Sequence, residues 1–206
     1  MMNYDYTYGK VGSQPAVDGA IQPIRLDKTG ALVTSLSHGK YFEQASRGRL
    51  FYAANTAAVT TSVALTTTYT GLVVSNPAGN AYNLVPLLGS WAFSVAPAAI
   101  SSVHLIGGYT AAGIVTHTTP LTNPPASTLL NNVLATAKAD AAATLVAPLY
   151  LQSWMSGFTA TALPSTSPSI IDLDGAFVVP PGGWFAIGTL TASVGFGGFI
   201  WEEVPI

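Results

Sequence analysis

Two stretches at the end of the sequence decide the fold class: GAFVVPPGGWFAIGT (residues 175–189) and GFGGFIWEEVPI (residues 195–206). In each, short runs of aromatic and β-branched residues are separated by Pro-Pro-Gly-Gly or by glycine-rich segments. Runs of this composition bounded by Gly and Pro predict strands joined by turns. We therefore expect the stretches to form closing strands of an antiparallel sheet, with a tight bend at Gly195–Gly198.

The same alternation continues towards the start of the chain. Apolar runs such as Leu50–Asn55 are separated by turn signals, of which Asn76–Asn80 is the strongest because Asn-Pro starts turns and Gly-Asn tolerates positive φ. The segments 82–88 and 91–95 are predicted strands separated by a break at Gly89. Roughly eight to ten short strands with frequent turns are typical of a sandwich or barrel. We predict an all-β protein, an antiparallel β-sandwich of jelly-roll type with about four strands in each sheet.

Some details of the later chain follow from the same patterns. We expect Trp184 and Trp201 to lie in the core, where large aromatic side chains contribute most. Neighbouring strand residues face opposite sides, so Glu202 and Glu203 do not form a carboxylate pair, and we expect both at a surface edge. Residues 127–139 fit either a helix or a strand with a loop.

Charge is sparse and unevenly distributed. Charged residues make up 8% of the 206-residue chain, residues 50–137 contain none, residues 1–49 carry a net +2 and residues 138–206 a net −4. Ordinary soluble domains hold about 25% charged residues. A membrane segment over residues 84–115 is disfavoured by its Pro, Ser and His interruptions. We expect Thr, Ser, Asn and Gly to face solvent, and other subunits to cover much of the remaining surface.

The first part of the chain differs from the rest. Residues 1–28 are rich in Gly and Pro with little apolar periodicity, which predicts an extended N-terminal arm or, as an alternative, a disordered tail. We divide the chain into an arm and charged linker, residues 1–49, and a sandwich domain, residues 50–206. A short helix fits Lys40–Arg47, where Glu43 and Arg47 are four residues apart and can pair. The start lacks an apolar h-region, so we expect no signal peptide.

The sequence offers little chemistry. It has no cysteine, and its three histidines are His38, His104 and His117. His104 and His117 lie 13 residues apart, and no acidic residue occurs between positions 44 and 139, so we expect structural histidines and no metal site. Asp172–Gly175 resembles the start of a calcium loop without its later ligands, and we interpret it as a strand end entering a turn. No nucleophile elbow, Walker loop or dinucleotide fingerprint is present. We expect no catalytic residue, no cofactor and no enzyme activity.

One cluster of basic and aromatic residues, around Arg47 and Arg49, is the only candidate for nucleic-acid contacts. Because the net charge is negative, we interpret it as a linker that holds a neighbouring subunit, with no direct binding of nucleic acid. The candidate contact residues for a capsid or a subunit are Arg25, Lys28, Lys40, Tyr41, Phe42, Glu43, Arg47 and Arg49.

Four short segments follow one another in the first part of the chain: Thr29–Val33, Ser37–Glu43, Arg47–Gly48 and Leu50–Phe51. They lead into the uncharged residues 50–137, which we call the neutral region. Together these features resemble small virion proteins of tailed bacteriophages. The Asn76–Asn80 turn, the Val179–Gly183 break and the closing Trp201–Glu203 are similar too. The resemblance implies a jelly-roll cement, or decoration, protein that binds the major capsid protein on the capsid exterior of the virion after a period in the host cytoplasm during assembly. From the uncharged residues 50–137 and the arm we further expect self-association through the sandwich, with a trimer preferred and a dimer possible, and no membrane partner.

Two other roles stay open at this point. A receptor-binding, fibre-associated or tailspike-associated virion protein would need a loop tip with clustered aromatic and polar residues, and residues 118–127 are the nearest candidate. A carbohydrate-binding β-sandwich would need a polar cluster beside an aromatic platform, which the sequence does not reveal.

Overall fold

A computed structural model describes residues 39–61, 65–97, 99, 101–109, 116–156 and 169–206. By its contacts the chain divides after Phe42, and residues 43–206 form one compact unit. Of the preceding unit only residues 39–42 are described; there the amide of Phe42 donates to the carbonyl of Gly39 at 3.0 Å. The predicted arm at residues 1–28, Arg25, Lys28 and His38 lie outside the described residues.

The described chain is almost entirely β-structure. It contains one five-residue helix, α1 (Phe42–Ser46), shorter than the predicted Lys40–Arg47. The strands, in chain order, are β1 (Leu50–Ala54), β2 (Val59–Thr60), β3 (Thr68–Ser75), β4 (Tyr82–Phe93), β5 (Ser102–Tyr109), β6 (Thr116–Pro120), β7 (Ala126–Ser127), β8 (Lys138–Thr144), β9 (Leu149–Ser156), β10 (Ser169–Asp172), β11 (Gly183–Thr189) and β12 (Val194–Pro205).

Two antiparallel sheets pack together. The first has the order β10-β4-β12-β1-β7, with β2 also paired to β12, and the second has the order β6-β8-β3-β11-β5-β9. The prediction of an all-β antiparallel sandwich is confirmed. In the described ranges each sheet holds six strands, more than the four of a jelly roll, and the jelly-roll type stays a prediction.

The core lies between the sheets and is rich in aromatic side chains. The ring of Phe185 on β11 meets Phe199 and Trp201 on β12 edge-on, with centroid distances of 4.9 and 6.3 Å. Edge-to-face packing across the two sheets fixes their relative position. Both predicted core tryptophans are buried, Trp201 between the sheets and Trp184 in a smaller cluster with Tyr69.

Two predicted breaks are strand interiors instead. Gly89 lies inside β4 and Gly197 lies inside β12. A Cβ on Gly89 would lie 2.9 Å from the Trp154 ring, and one on Gly197 would lie 2.6 Å from Ile187 Cδ1. These glycines therefore mark close approach of neighbouring atoms, which is the other meaning of glycine in a strand.

Several local predictions are confirmed. The amide of Asn80 donates to the carbonyl of Pro77 at 3.2 Å, and Gly79 has φ 75°, which closes the predicted Asn76–Asn80 turn. Asp172 ends β10, and its Oδ1 accepts a bond from the Asp174 amide at 3.1 Å as the chain turns. Of the two alternatives for residues 127–139, the structure has the strand with a loop.

Candidate functional site

The centre of the outer face of the first sheet is apolar. On β12 the outward positions include Phe196, Gly198 and Ile200, alternating with buried positions. We call this outward surface the apolar face; its other members, given by the strand register, are Ala92, Ser90 and Leu88 of β4, Ala54 and Tyr52 of β1, and Ile170 of β10. Outward-facing sides of antiparallel sheets are ordinarily polar, but on the apolar face only the hydroxyl groups of Ser90 and Tyr52 are polar.

A groove with a volume of about 440 Å³ lies over the apolar face. Gly198 and Ala54 contribute small residues to its lining, while Tyr52, Ile200 and Ile170 contribute large ones. Ile170 is 67% exposed. A Cβ on Gly198 would lie 2.8 Å from Ser90 Oγ, so the missing side chain keeps this part of the sheet surface open. The groove can accept apolar side chains from another molecule.

A loop beside the groove adds more exposed apolar surface. This leucine loop, residues 128–134, connects β7 to the segment before β8, and its Leu130 lines the groove while 77% exposed. Leu130 and Asn132 have positive φ values of 56° and 61°. Positive φ is uncommon for residues other than glycine, and here it turns the chain back so that the amide of Ser127 donates to the carbonyl of Val133 at 2.8 Å.

A buried carboxylate fixes the chain just after the leucine loop to the first sheet. Glu203 is only 4% exposed. Its Oε1 accepts bonds from the amides of Thr136 at 2.9 Å and Ala137 at 3.1 Å, and its Oε2 accepts one from Thr136 Oγ1 at 2.9 Å. The expectation of a surface edge was therefore wrong for Glu203, because the backbone of residues 136–137 covers it and satisfies its oxygens.

The described members of the predicted contact set lie on or beside α1. Lys40 and Phe42 are exposed, and the Lys40 ammonium lies 5.1 Å from the Tyr41 ring centroid. The predicted pair is confirmed: Arg47 Nη2 lies 2.7 Å from Glu43 Oε1. Exposed pairs of this kind contribute little stability. Arg49 is also exposed and immediately precedes β1.

A second pocket lies at the β5–β9 side of the second sheet; its lining is mainly apolar but includes Ser102, His104, Gln152 and Ser153, and we call it the polar pocket. His104 is held from both ring nitrogens: Nε2 lies 2.6 Å from Ser102 Oγ and Nδ1 lies 3.3 Å from Ser153 Oγ. The ring of Tyr150 packs edge-on against the imidazole at 5.0 Å between centroids. Burial lowers the pKa of His104, which favours the neutral imidazole. The described residues bring no carboxylate to this histidine, so the cluster is not a Ser-His-Asp triad.

His117 has an acidic partner that is distant in the sequence. Its Nδ1 lies 2.6 Å from Oδ2 of Asp140, across the β6–β8 pairing. Asp140 is fully buried, and its Oδ1 has no hydrogen-bond partner among the described residues. Burial raises the pKa of this carboxyl, and the bond and charge of His117 partly offset that effect. His117 is therefore a hydrogen-bonded histidine, and its structural role stays a prediction.

The groove over the apolar face, the pocket on the second sheet and the hydrogen bonds of Glu203 were not predicted from the sequence. The outward alternation of β12, with Phe196 and Ile200 on one side, was present in the sequence, but it was interrupted by glycines that we interpreted as a bend. The contact of His104 with Ser153 depends on the pairing of strands whose contacting residues are 49 positions apart in the sequence. No short-range pattern in the sequence indicates it.

Comparison of the chain with family models, with curated proteins and with solved structures gave no match. In the described ranges no helix has the length and apolar character needed to cross a membrane. Nor does that part of the chain gather three or more His, Asp or Glu side chains where a metal ion could bind.

Proposed function

We propose that the protein is a structural, non-catalytic virion protein of a tailed phage that binds the capsid shell as a cement or decoration protein. The observation that carries the proposal is the apolar face with its groove and the neighbouring leucine loop. We take a phage capsid as the partner because the Ser37–Glu43 and Asn76–Asn80 segments resemble such virion proteins.

The composition of the face supports a permanent contact. Interface cores are depleted of charged residues and enriched in aromatic and apolar ones. Tyr52, Phe196 and Ile170 are all exposed on the apolar face, and the neutral region supplies β4 and β1 beside them. Desolvating such a surface costs little, so contact with an apolar partner is favourable.

The geometry also favours a preformed site. Glu203 fixes the chain just after the leucine loop, and at the start of the loop the amide of Thr128 donates to the carbonyl of Leu50 at 2.9 Å. A loop that is held at both ends loses less conformational entropy on binding than a free one. We therefore propose that the major capsid protein inserts apolar side chains into the groove between Leu130 and Ile170. By binding only the assembled shell, the protein stabilises that shell by mass action.

The decisive experiment mixes the purified full chain with empty expanded heads of the phage and images the particles. We expect density at icosahedrally ordered positions, with the first sheet facing the shell. Ile170→Lys and Leu130→Lys should each weaken binding about tenfold or more, because a lysine at a central anchor places a charge in the groove.

A matched control is Leu149→Lys. Leu149 is 60% exposed on β9, in the other sheet, so its replacement should leave head binding unchanged. The absence of ordered density on heads would overturn the proposal. Equal loss of binding in all three variants would instead show that the apolar face is not the docking surface.

A further inference from the structure

The polar pocket on the second sheet carries an inference that is independent of the shell proposal. We infer that this pocket, lined by residues of β5 and β9 and by Leu190, is a binding site for a neutral saccharide.

The first reason is that irregular strand pairing builds the pocket. In a regular strand Tyr150 and Ser153, three residues apart, face opposite sides. The register of β9 against β5 shifts twice, once before and once after the segment His104–Leu105. As a result both Tyr150 and Ser153 contact His104. Bulges that re-aim side chains are typical of strands beside functional sites.

The second reason is that the polar groups are held in place. Ser102 and Ser153 bond the two nitrogens of His104, and the imidazole packs against the Tyr150 ring. A rigid first layer of side chains reduces the entropy cost of binding a ligand. Tyr150 itself is 49% exposed, so part of its ring is available to a ligand.

The third reason is the chemistry of the lining. The pocket has a volume of about 460 Å³, in the range of small-ligand sites. Hydroxyl, imidazole and amide groups of Ser102, His104 and Gln152 lie beside the apolar surfaces of Leu151 and Leu190. Among the described lining residues there is no Asp, Glu, Lys or Arg, and partial burial favours the neutral form of the His104 imidazole.

These properties select the ligand class. A phosphate or nucleic acid would require cationic partners, and a purely apolar ligand would cover the Gln152 amide and the second lone pairs of the serine hydroxyls without bonding them. Both nitrogens of His104 already bond the serines, so a neutral sugar would offer its hydroxyl groups to Gln152 and to the remaining lone pairs of Ser102 and Ser153. Its face of C–H groups fits the ring of Tyr150, as apolar surface does on any aromatic side chain.

The test titrates the full-length protein with neutral hexasaccharides of glucose, mannose, galactose and N-acetylglucosamine, up to about 10 mM, near the weak end of measurable affinity. Binding is followed by calorimetry and by the imidazole ¹⁵N resonances of His104. We expect at least one sugar to bind and to shift the His104 resonances. Tyr150→Ala should weaken that binding about tenfold or more, and Tyr150→Phe should retain most of it.

Tyr109→Ala is the matched control, because Tyr109 is 55% exposed on β5 outside the pocket. Urea unfolding of each variant checks that it is folded, and the wild-type resonance shifts test the site without any substitution. The inference is overturned if none of the four sugars shifts the His104 resonances, or if Tyr109→Ala weakens binding as much as Tyr150→Ala. Either result would leave the docking of the apolar face on heads unaffected.

Discussion

The buried carboxylate of Glu203 should be one of the largest single contributors to stability outside the aromatic core. Hydrogen bonds to a charged acceptor contribute about 1.5–3 kcal/mol each, and Glu203 accepts three. Simple addition overestimates the total, because burying the carboxylate has its own cost and the exposed Thr136 can bond water in the variant. Ala137 is buried, and its amide would be left without a partner.

We therefore expect Glu203→Ala to lower the free energy of unfolding by about 3 kcal/mol. Glu203→Gln should cost about 1 kcal/mol, because the amide keeps the side-chain shape and one acceptor oxygen but loses the charge. In urea, with a slope of about 1–3 kcal/mol/M, the alanine variant should shift the midpoint by roughly 1–3 M without changing the slope.

Glu202→Ala is the control for this prediction, since Glu202 is the neighbouring acid and faces the other side of the strand. It should shift the urea midpoint only slightly. If Glu203→Ala unfolds at the same urea concentration as Glu202→Ala, the carboxylate does not anchor the leucine loop and the reasoning is refuted.

Two further predictions concern the interior. Gly197→Ala should destabilise the protein by about 1–3 kcal/mol, measured by urea unfolding, because the added Cβ would lie 2.6 Å from Ile187 Cδ1; an unchanged midpoint would contradict the close packing. Burial raises the pKa of Asp140, so its contribution to stability is present below the ordinary carboxyl range near about pH 4 and is lost as pH rises through the folded-state value. The stability of the wild type relative to Asp140→Asn should therefore fall between about pH 4 and neutrality; a rise over that range would show that the bond to His117 dominates.

Local patterns were enough to predict the class of fold and some of its details. The apolar run at residues 184–187 and the turn residues of Asn76–Asn80 act over a few positions, so the sequence predicts strands and turns directly. The burial of Trp184 and Trp201 follows from the size of their side chains. The pairing of Glu43 with Arg47 follows from their spacing on a helix.

The rest depended on contacts between distant parts of the chain. In the sequence Gly89 and Gly197 cannot be distinguished from glycines that form turns. Only the close approach of Trp154 to Gly89 and of Ile187 to Gly197 explains why these positions inside strands are glycines. The burial of Glu203 depends on residues 136–137, which lie 66–67 positions away. Non-local register determines both pockets, and a single sequence does not specify it.

The edges of the two sheets have a consequence for the behaviour of the protein at high concentration. The first sheet ends in β7, with two residues, and β10, with four. The second ends in β6, which terminates at Pro120, and in the irregularly paired β9. Short, proline-ended and bulged edge strands resist addition of strands from other chains. In a chain with 8% charged residues, where charge repulsion protects little, this edge design limits amyloid-like aggregation while copies accumulate.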